Sequence, residues 1–237
     1  MKKLLILLLI PTLALASYFP KSAGYYGEMG NVVGSSAPEA VPSADEWCAM
    51  FHANITGSAP HLNNGFTFVA GFDGAIASVA DNGSGDARFT DVAHGLTDGD
   101  YITVQASVAG YTGIHLVDVI TVDTFDVLGL TYTATATGTW QMGSYLLVGN
   151  TGIYRGAWNA SFSQSTNNTQ TSQVCPYINA TISTKACASR LLANNTDIGS
   201  IGGNGLMNMT TGDRIWFAVQ CTTPQTLTFT IRNVTLH

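Results

Sequence analysis

Side chains that alternate with a period of two constrain this chain more than any other feature. From Tyr154 to Phe162 one set is Tyr154, Gly156, Trp158, Ala160 and Phe162, and the intervening set carries Arg155, Asn159 and Ser161. Successive residues of a strand point to opposite faces, so the segment reads as a strand with one face buried. The same period recurs where Ile215, Phe217 and Val219 alternate with Trp216, Ala218 and Gln220. It recurs again where Leu227, Phe229 and Ile231 alternate with Thr228, Thr230 and Arg232. Thr-rich, β-branched and aromatic runs of this kind suit a pleated surface. Turn signals separate them at Asn63-Asn64-Gly65, Asp81-Asn82-Gly83, Thr97-Asp98-Gly99-Asp100, Gly202-Gly203-Asn204-Gly205 and Thr211-Gly212-Asp213. The pattern predicts an all-β chain, a sandwich or a barrel.

Composition narrows what such a chain does. Apolar residues make up 46% and charged residues 10%, a balance that excludes both a disordered chain and a coiled coil. The formal charge is −6 and the nine Lys and Arg are spread thinly, so a nucleic-acid partner is not expected.

The start of the chain points to export. Met1-Lys2-Lys3 is followed by the apolar run Leu4–Ile10, a second run from Leu13, and the small-x-small triplet Ala14-Leu15-Ala16. This is the layout of a cleaved secretory signal over 1–16. The run is shorter than a membrane span and contains Pro11, so no stable span is expected after cleavage. Residues 17–46, with Ala37-Pro38-Glu39-Ala40-Val41-Pro42-Ser43, read as a flexible linker with little regular structure before Trp47. The four cysteines, Cys48, Cys175, Cys187 and Cys221, allow three pairings. Cys175 and Cys187 face each other if the chain turns near Ala180–Ser183, as a disulfide or as two small buried thiols. Eight Asn-x-Ser/Thr triplets (at Asn54, Asn159, Asn194 and five other positions) follow from the abundance of those residues.

Charge divides the chain. Between Asp73 and Asp126 stand nine Asp and one basic residue, Arg88, and the segment has its own strand candidates at Tyr101–Val108, Ile114–Val122 and Phe125–Val127. The shift marks an inserted module over 75–142, between opening strands at 47–74 and the remainder at 143–237.

Two family resemblances follow from particular residues. Gly152-Ile153-Tyr154 leading into an alternating strand, and Thr211-Gly212-Asp213-Arg214-Ile215 before the penultimate one, resemble the tumour-necrosis-factor and complement globular-head superfamily. In the middle module, Val92-Ala93-His94-Gly95-Leu96-Thr97-Asp98-Gly99-Asp100 leads to Tyr111-Thr112-Gly113. Val122-Asp123-Thr124-Phe125-Asp126-Val127 and Thr137-Gly138-Thr139-Trp140 complete the pattern. Together these resemble a small β-barrel known from ubiquitin-activating enzymes and from phage structural proteins; the enzyme's cysteine and nucleotide motifs are missing here, so its chemistry does not transfer. The resemblances imply a jelly-roll sandwich with an inserted barrel, assembled as a homotrimer. They imply a structural or adhesive role in a virion, presenting a surface to a receptor or glycan. The export signal conflicts with assembly of a virion in the cytoplasm, and the alternative is a secreted or cell-surface bacterial binding protein built from the same modules.

The residues expected to matter are the turn residues His94, Gly95, Gly99, Asp100, Gly152, Gly212 and Asp213, and the aromatics Tyr154, Trp158, Trp216, Phe217 and Phe229. The aromatics are candidates for a threefold interface or for plain sandwich core. No Gly-x-Ser-x-Gly elbow and no Cys-x-x-Cys zinc spacing occurs. The expectation is a protein without catalytic residues or cofactor, with an exported polysaccharide-active enzyme as the remaining alternative. Asp81-Asn82-Gly83-Ser84-Gly85-Asp86 has oxygens for calcium but lacks the spacing and terminal Glu of a calcium loop, so a solvated turn is expected.

Overall fold

The computed structural model describes residues 65–237 without a break and, before them, 27–31, 37–41, 45, 47–49 and 55–57. The segment read as a signal lies outside the described residues. Among the described residues, regular structure is strand throughout, apart from two single turns of 3-10 helix at Ala109–Tyr111 and Thr184–Ala186. The strands are β1 (Gly27–Asn31), β2 (Ala37–Val41), β3 (Cys48–Ala49), β4 (Ile55–Gly57) and β5 (Phe66–Val69). They continue as β6 (Phe72–Ile76), β7 (Ser78–Asp81), β8 (Asp86–Thr90), β9 (Tyr101–Ala106), β10 (Gly113–Thr121), β11 (Thr124–Thr131) and β12 (Gly138–Met142). The last eight are β13 (Tyr145–Val148), β14 (Gly152–Gln164), β15 (Gln170–Ile178), β16 (Thr181–Ile182), β17 (Ala188–Leu192), β18 (Ile198–Met209), β19 (Arg214–Cys221) and β20 (Gln225–Leu236).

Three antiparallel sheets result. One runs β18-β14-β20-β1-β4, with β2 also on β20; the second runs β16-β15-β19-β13-β5, with β17 on β15 and β3 on β19. The third, β6-β12-β9-β10-β11-β8-β7, is nearly barrel-shaped, and its strands all come from 72–142. It leaves the chain between β5 and β13, which pair with each other from Tyr145↔Val69 to Val148↔Phe66.

Alternation explains the first sheet. In β14, Tyr154, Gly156, Trp158, Ala160 and Phe162 are buried while Ile153, Arg155 and Asn159 are exposed. The buried set meets Val174, Ile215, Phe217, Val219 and Cys221 from the second sheet, closing a sandwich core. In β20 the alternation changes phase. Leu227 and Phe229 face inward, and so do Val234 and Leu236. The register against β14 slips between Ser161 and Phe162, which pair with Ile231 and Phe229. One extra residue in a strand reverses every later side chain. The expected inward run through Ile231 therefore ends at Phe229; the side chain of Ile231 lies outside the described residues.

Strand β19 departs from half-burial for another reason. Ile215, Phe217 and Val219 face the sandwich core, and Trp216 and Ala218 are as deeply buried on the other face. There they join Cys175, Tyr177 and Tyr145 in one cluster with the barrel residues Ile102, Val104, Phe125 and Trp140. The barrel thus covers the outer face of the second sheet, and a strand buried on both faces loses its polar side.

Two expectations are corrected. The linker assigned to 17–46 contains β1 and β2, which lie end to end along β20, Gly27↔Leu236 and Ala37↔Phe229. β20 is twelve residues long, and its edge opposite β14 offers unpaired backbone groups that extended segments can take. Pro38 is accepted because β2 is an edge strand with ladder bonds on one side only. The turn expected at Gly202-Gly203-Asn204-Gly205 is the middle of β18. A Cβ on Gly203 would collide with the carbonyl oxygen of Ala186 and the indole of Trp158. These glycines let the 184–186 turn lie flat across the sheet rather than reverse the chain.

Inside the barrel, Phe89 stacks on Phe125 at 5.6 Å, and the Tyr111 hydroxyl donates to Ala134 O at 2.7 Å while accepting from the amides of Thr133 and Ala134. His115 donates from Nε2 to Tyr111 O at 3.0 Å, and burial pushes its pKa below the ordinary 6.5. A neutral native imidazole gives the unfolded chain the greater proton affinity, so stability falls as pH drops below about 6.5. The melting temperature is expected to decline between pH 7.5 and 5, and His115→Gln, which keeps a donor, should flatten that slope. An unchanged slope in the variant would rule out this histidine as its source.

Candidate functional site

Two four-residue turns carry the two sequence motifs, and they are built alike. In Thr97-Asp98-Gly99-Asp100 the amide of Asp100 donates to Thr97 O at 3.0 Å, and Asp100 Oδ2 accepts from the Thr97 amide at 2.7 Å. In Thr210-Thr211-Gly212-Asp213 the amide of Asp213 donates to Thr210 O at 3.0 Å, and Asp213 Oδ2 accepts from the Thr210 amide at 2.7 Å. Gly99 and Gly212 occupy the third position at φ +82° and +93°. That position needs a positive φ, which a side chain opposes. Gly212 has nothing within 4 Å of a notional Cβ, so conformation alone selects glycine there.

Each aspartate keeps one oxygen for a distant partner. Asp100 Oδ1 accepts from Arg214 Nη1 at 2.6 Å, across 114 residues of sequence; the side chains are 5% and 17% exposed. Asp213 Oδ1 accepts from Asn179 Nδ2 at 2.8 Å. Asn179 also accepts from the Arg214 amide through Oδ1 and from Trp216 Nε1 through its carbonyl. The Arg214 guanidinium lies over the Tyr145 ring, 5.0 Å from its centroid, and Tyr177 stacks on Trp216 at 4.8 Å. Burial pushes the Tyr177 phenol up to about 12 and raises that of Tyr145. The two motifs therefore converge on one buried ion pair that fixes the barrel against the sandwich.

His94 belongs to the same loop and is structural. Its Nδ1 accepts from the Leu96 amide at 3.0 Å, so the ring proton sits on Nε2, which donates to Thr121 O at 2.9 Å. Both nitrogens are spent on backbone, and the ring edge meets Phe125 at 5.2 Å. Gly95 follows at φ +70°. Gly152 opens β14 beside the Tyr154 ring, whose hydroxyl donates to Asn150 O at 2.6 Å.

The five aromatics are all buried within the chain. Tyr154, Trp158, Phe217 and Phe229 line the sandwich core, and Trp216 lies between sandwich and barrel; none is more than 6% exposed. Any contact between copies is made by other residues. Cys175 and Cys187 form a disulfide, placed by the β15–β17 register that pairs Val174 with Ala188. The turn lies at Asn179-Ala180, between Ile178 and Thr181. In the 81–86 loop, Asp81 Oδ1 accepts from the amides of Gly83 and Gly85, and Asn82 Oδ1 from those of Ser84 and Asp86. No group of three metal-ligating residues is assembled among the described residues. Arg88 forks onto Asp126 at 2.6 and 2.9 Å and holds that carboxyl below its ordinary range.

Sequence reasoning missed Arg214, Asn179 and Tyr145. Arg214 stands directly after Gly212-Asp213, and its place next to a capped turn is the only local cue; its partner Asp100 lies 114 positions away. Asn179 had a local cue as well, since Asn is among the residues with a side chain that best tolerate the φ of +54° it adopts. Nothing around Tyr145 distinguishes it from other strand tyrosines.

No protein family, curated protein or solved structure matches the chain in comparison.

Proposed function

We propose that the chain is a non-enzymatic structural and adhesive module of a phage particle, a jelly roll of the tumour-necrosis-factor kind with an inserted small barrel, displayed as a homotrimer toward a host receptor or glycan. The strand order carries the reading. From β13 to β20 the chain passes between the two sandwich sheets at every step except β15 to β17, which is how a jelly roll winds. The barrel hangs from the β5–β13 hairpin and is held by Asp100 and Arg214, so its distance from the sandwich is fixed. A rigid spacing of this kind suits display rather than turnover. The aromatics that suggested a threefold interface are spent on the core, and the trimer rests on the fold alone.

A second reading, a secreted or cell-surface bacterial binding protein, is favoured by the Cys175–Cys187 disulfide together with the signal-like first sixteen residues. Peptide mass spectrometry of purified particles and of the cell-free medium separates the two. Stoichiometric recovery in particles supports the virion role, and recovery from the medium or cell surface alone supports the second reading. Release of reducing sugar from a host polysaccharide by the purified chain would overturn both. Light scattering is expected to give three times the mass of one chain, and a monomer at micromolar concentration would remove the trimer.

A further inference from the structure

We infer that copies of this chain meet head to tail, the tip of one barrel docking on an apolar patch beside Arg155 of the next sandwich. The inference rests on the homotrimer proposed above and names its contact surfaces.

The barrel tip is a rigid apolar knob. Val92 is 76% exposed, Val122 67% and Ile120 41%. They are brought together because the loop after β8 is strapped to the β10–β11 turn. The Asp91 amide donates to Asp123 O at 3.0 Å, the His94 amide to Val122 O at 3.2 Å, and the Ala93 amide to Asp123 Oδ1 at 2.9 Å. Ala93 sits at φ +56°, an uncommon place for a residue with a side chain. Exposed apolar groups held this firmly lose little freedom on docking.

Three aspartates belong to the segments that carry the knob: Asp91 and Asp123 are the chain neighbours of Val92 and Val122, and Asp98 is bonded to the Val119 amide. Asp91 Oδ2 accepts from Trp140 Nε1, Asp98 Oδ1 from the Val119 amide, and Asp123 Oδ1 from the Ala93 amide. Their other oxygens have no partner among the described residues. The window from Asp73 to Asp126 carries nine Asp and one Arg, and that Arg is engaged by Asp126. The knob therefore fits a surface that is apolar and positive, and an anionic bilayer would repel it.

The chain carries such a surface itself. On the outer face of β14 and β18, Ile153 is 71% exposed and Leu206 61%, and Leu206 lies directly across from Arg155. Arg88, Arg190 and Arg214 are each paired with an aspartate. The exposed Arg155 guanidinium has no partner among the described residues. From 143 to 237 there are five basic residues and two acidic ones, the reverse of the barrel's balance. The patch lies on the sheet that faces away from the barrel, so one copy cannot satisfy itself through the contacts described, and a heterologous contact that closes after three copies yields a threefold ring.

The rival contact is the centre of the same face, where a shallow recess of about 430 Å³ lies among Asn159, Ser161, Ser200 and Gly202. Light scattering of the full chain and of Val122→Asp, Leu206→Asp and Ser200→Asp distinguishes them. All three positions are exposed, and unchanged circular dichroism verifies folding. The expected result is that Val122→Asp and Leu206→Asp each lower the mass threefold, to that of one chain, while Ser200→Asp leaves the trimer intact. A trimer that survives Val122→Asp and Leu206→Asp, or that only Ser200→Asp breaks, overturns the inference and leaves the trimer standing. A monomeric parent chain removes the trimer and the inference together. Binding of Val122-dependent character to phosphatidylglycerol vesicles instead of to copies would also overturn it.

Discussion

Replacing Asp100 with alanine is expected to lower the unfolding free energy by about 3–5 kcal/mol, because it leaves the Arg214 guanidinium buried without its counter-ion. The change also removes the acceptor for the Thr97 amide and hydroxyl, so the 97–100 turn loses its cap. Urea titration followed by tryptophan fluorescence reads the loss, with Trp140 in the barrel and Trp216 at the seam as reporters. The transition is expected to broaden or split, since the pair is a direct link between barrel and sandwich. Replacing both partners, as Asp100→Leu with Arg214→Met, should recover part of the loss, because no charge is then left unpaired, while the Thr97 amide stays without its acceptor. Asp98→Ala is the control. Asp98 is exposed and accepts one bond from the Val119 amide, so its loss should cost far less. A loss under about 1 kcal/mol for Asp100→Ala would show that water reaches the pair and that the seam is held by its aromatics alone.

How legible this seam was from sequence depends on which of its parts are local. The two Gly-Asp turns were readable because a positive φ and a short polar cap are requirements of four consecutive residues. Their meeting was not readable, since nothing near Asp100 says that its free oxygen faces Arg214, 114 positions later. The strands of the sandwich were legible where one face meets water, as in β14. They were illegible where tertiary contact removes the polar face, as in β19, or shifts the phase, as at the β20 bulge. The segment before Trp47 failed for a related reason. Ala37–Val41 has little strand propensity of its own and is extended because β20 offers it an edge. Four of the five aromatics share the sandwich core and Trp216 lies on the opposite face of β19; alternation says which side chains share a face and is silent on what that face meets.

Gly202-Gly203-Asn204-Gly205 makes the same point with a sharper test. A glycine run is a turn signal when conformational freedom is what the chain needs, and a packing signal when another segment must come close. Here the second need rules. The indole of Trp158 lies over Gly203, its Nε1 donates to Ala186 O at 2.8 Å, and its ring meets the edge of Phe217 at 5.8 Å. Trp158→Ala is therefore expected to cost about 3–5 kcal/mol, from the cavity left in the sandwich core and from the unsatisfied Ala186 carbonyl. Trp158→Phe keeps most of the apolar volume and loses the hydrogen bond, so it should cost about 1–3 kcal/mol. The difference between the two variants in urea titration measures the packing contribution separately from the polar one. Gly203→Val should destabilise by a third route, pushing the 184–186 turn off β18, and much of its effect should persist in the Trp158→Ala background, because the Ala186 carbonyl oxygen is the nearest atom to a Cβ placed there. If Gly203→Val costs little once Trp158 is removed, the glycine is selected by the indole rather than by the Ala186 backbone, and the tryptophan, not the turn, sets how closely the 184–186 segment lies on β18.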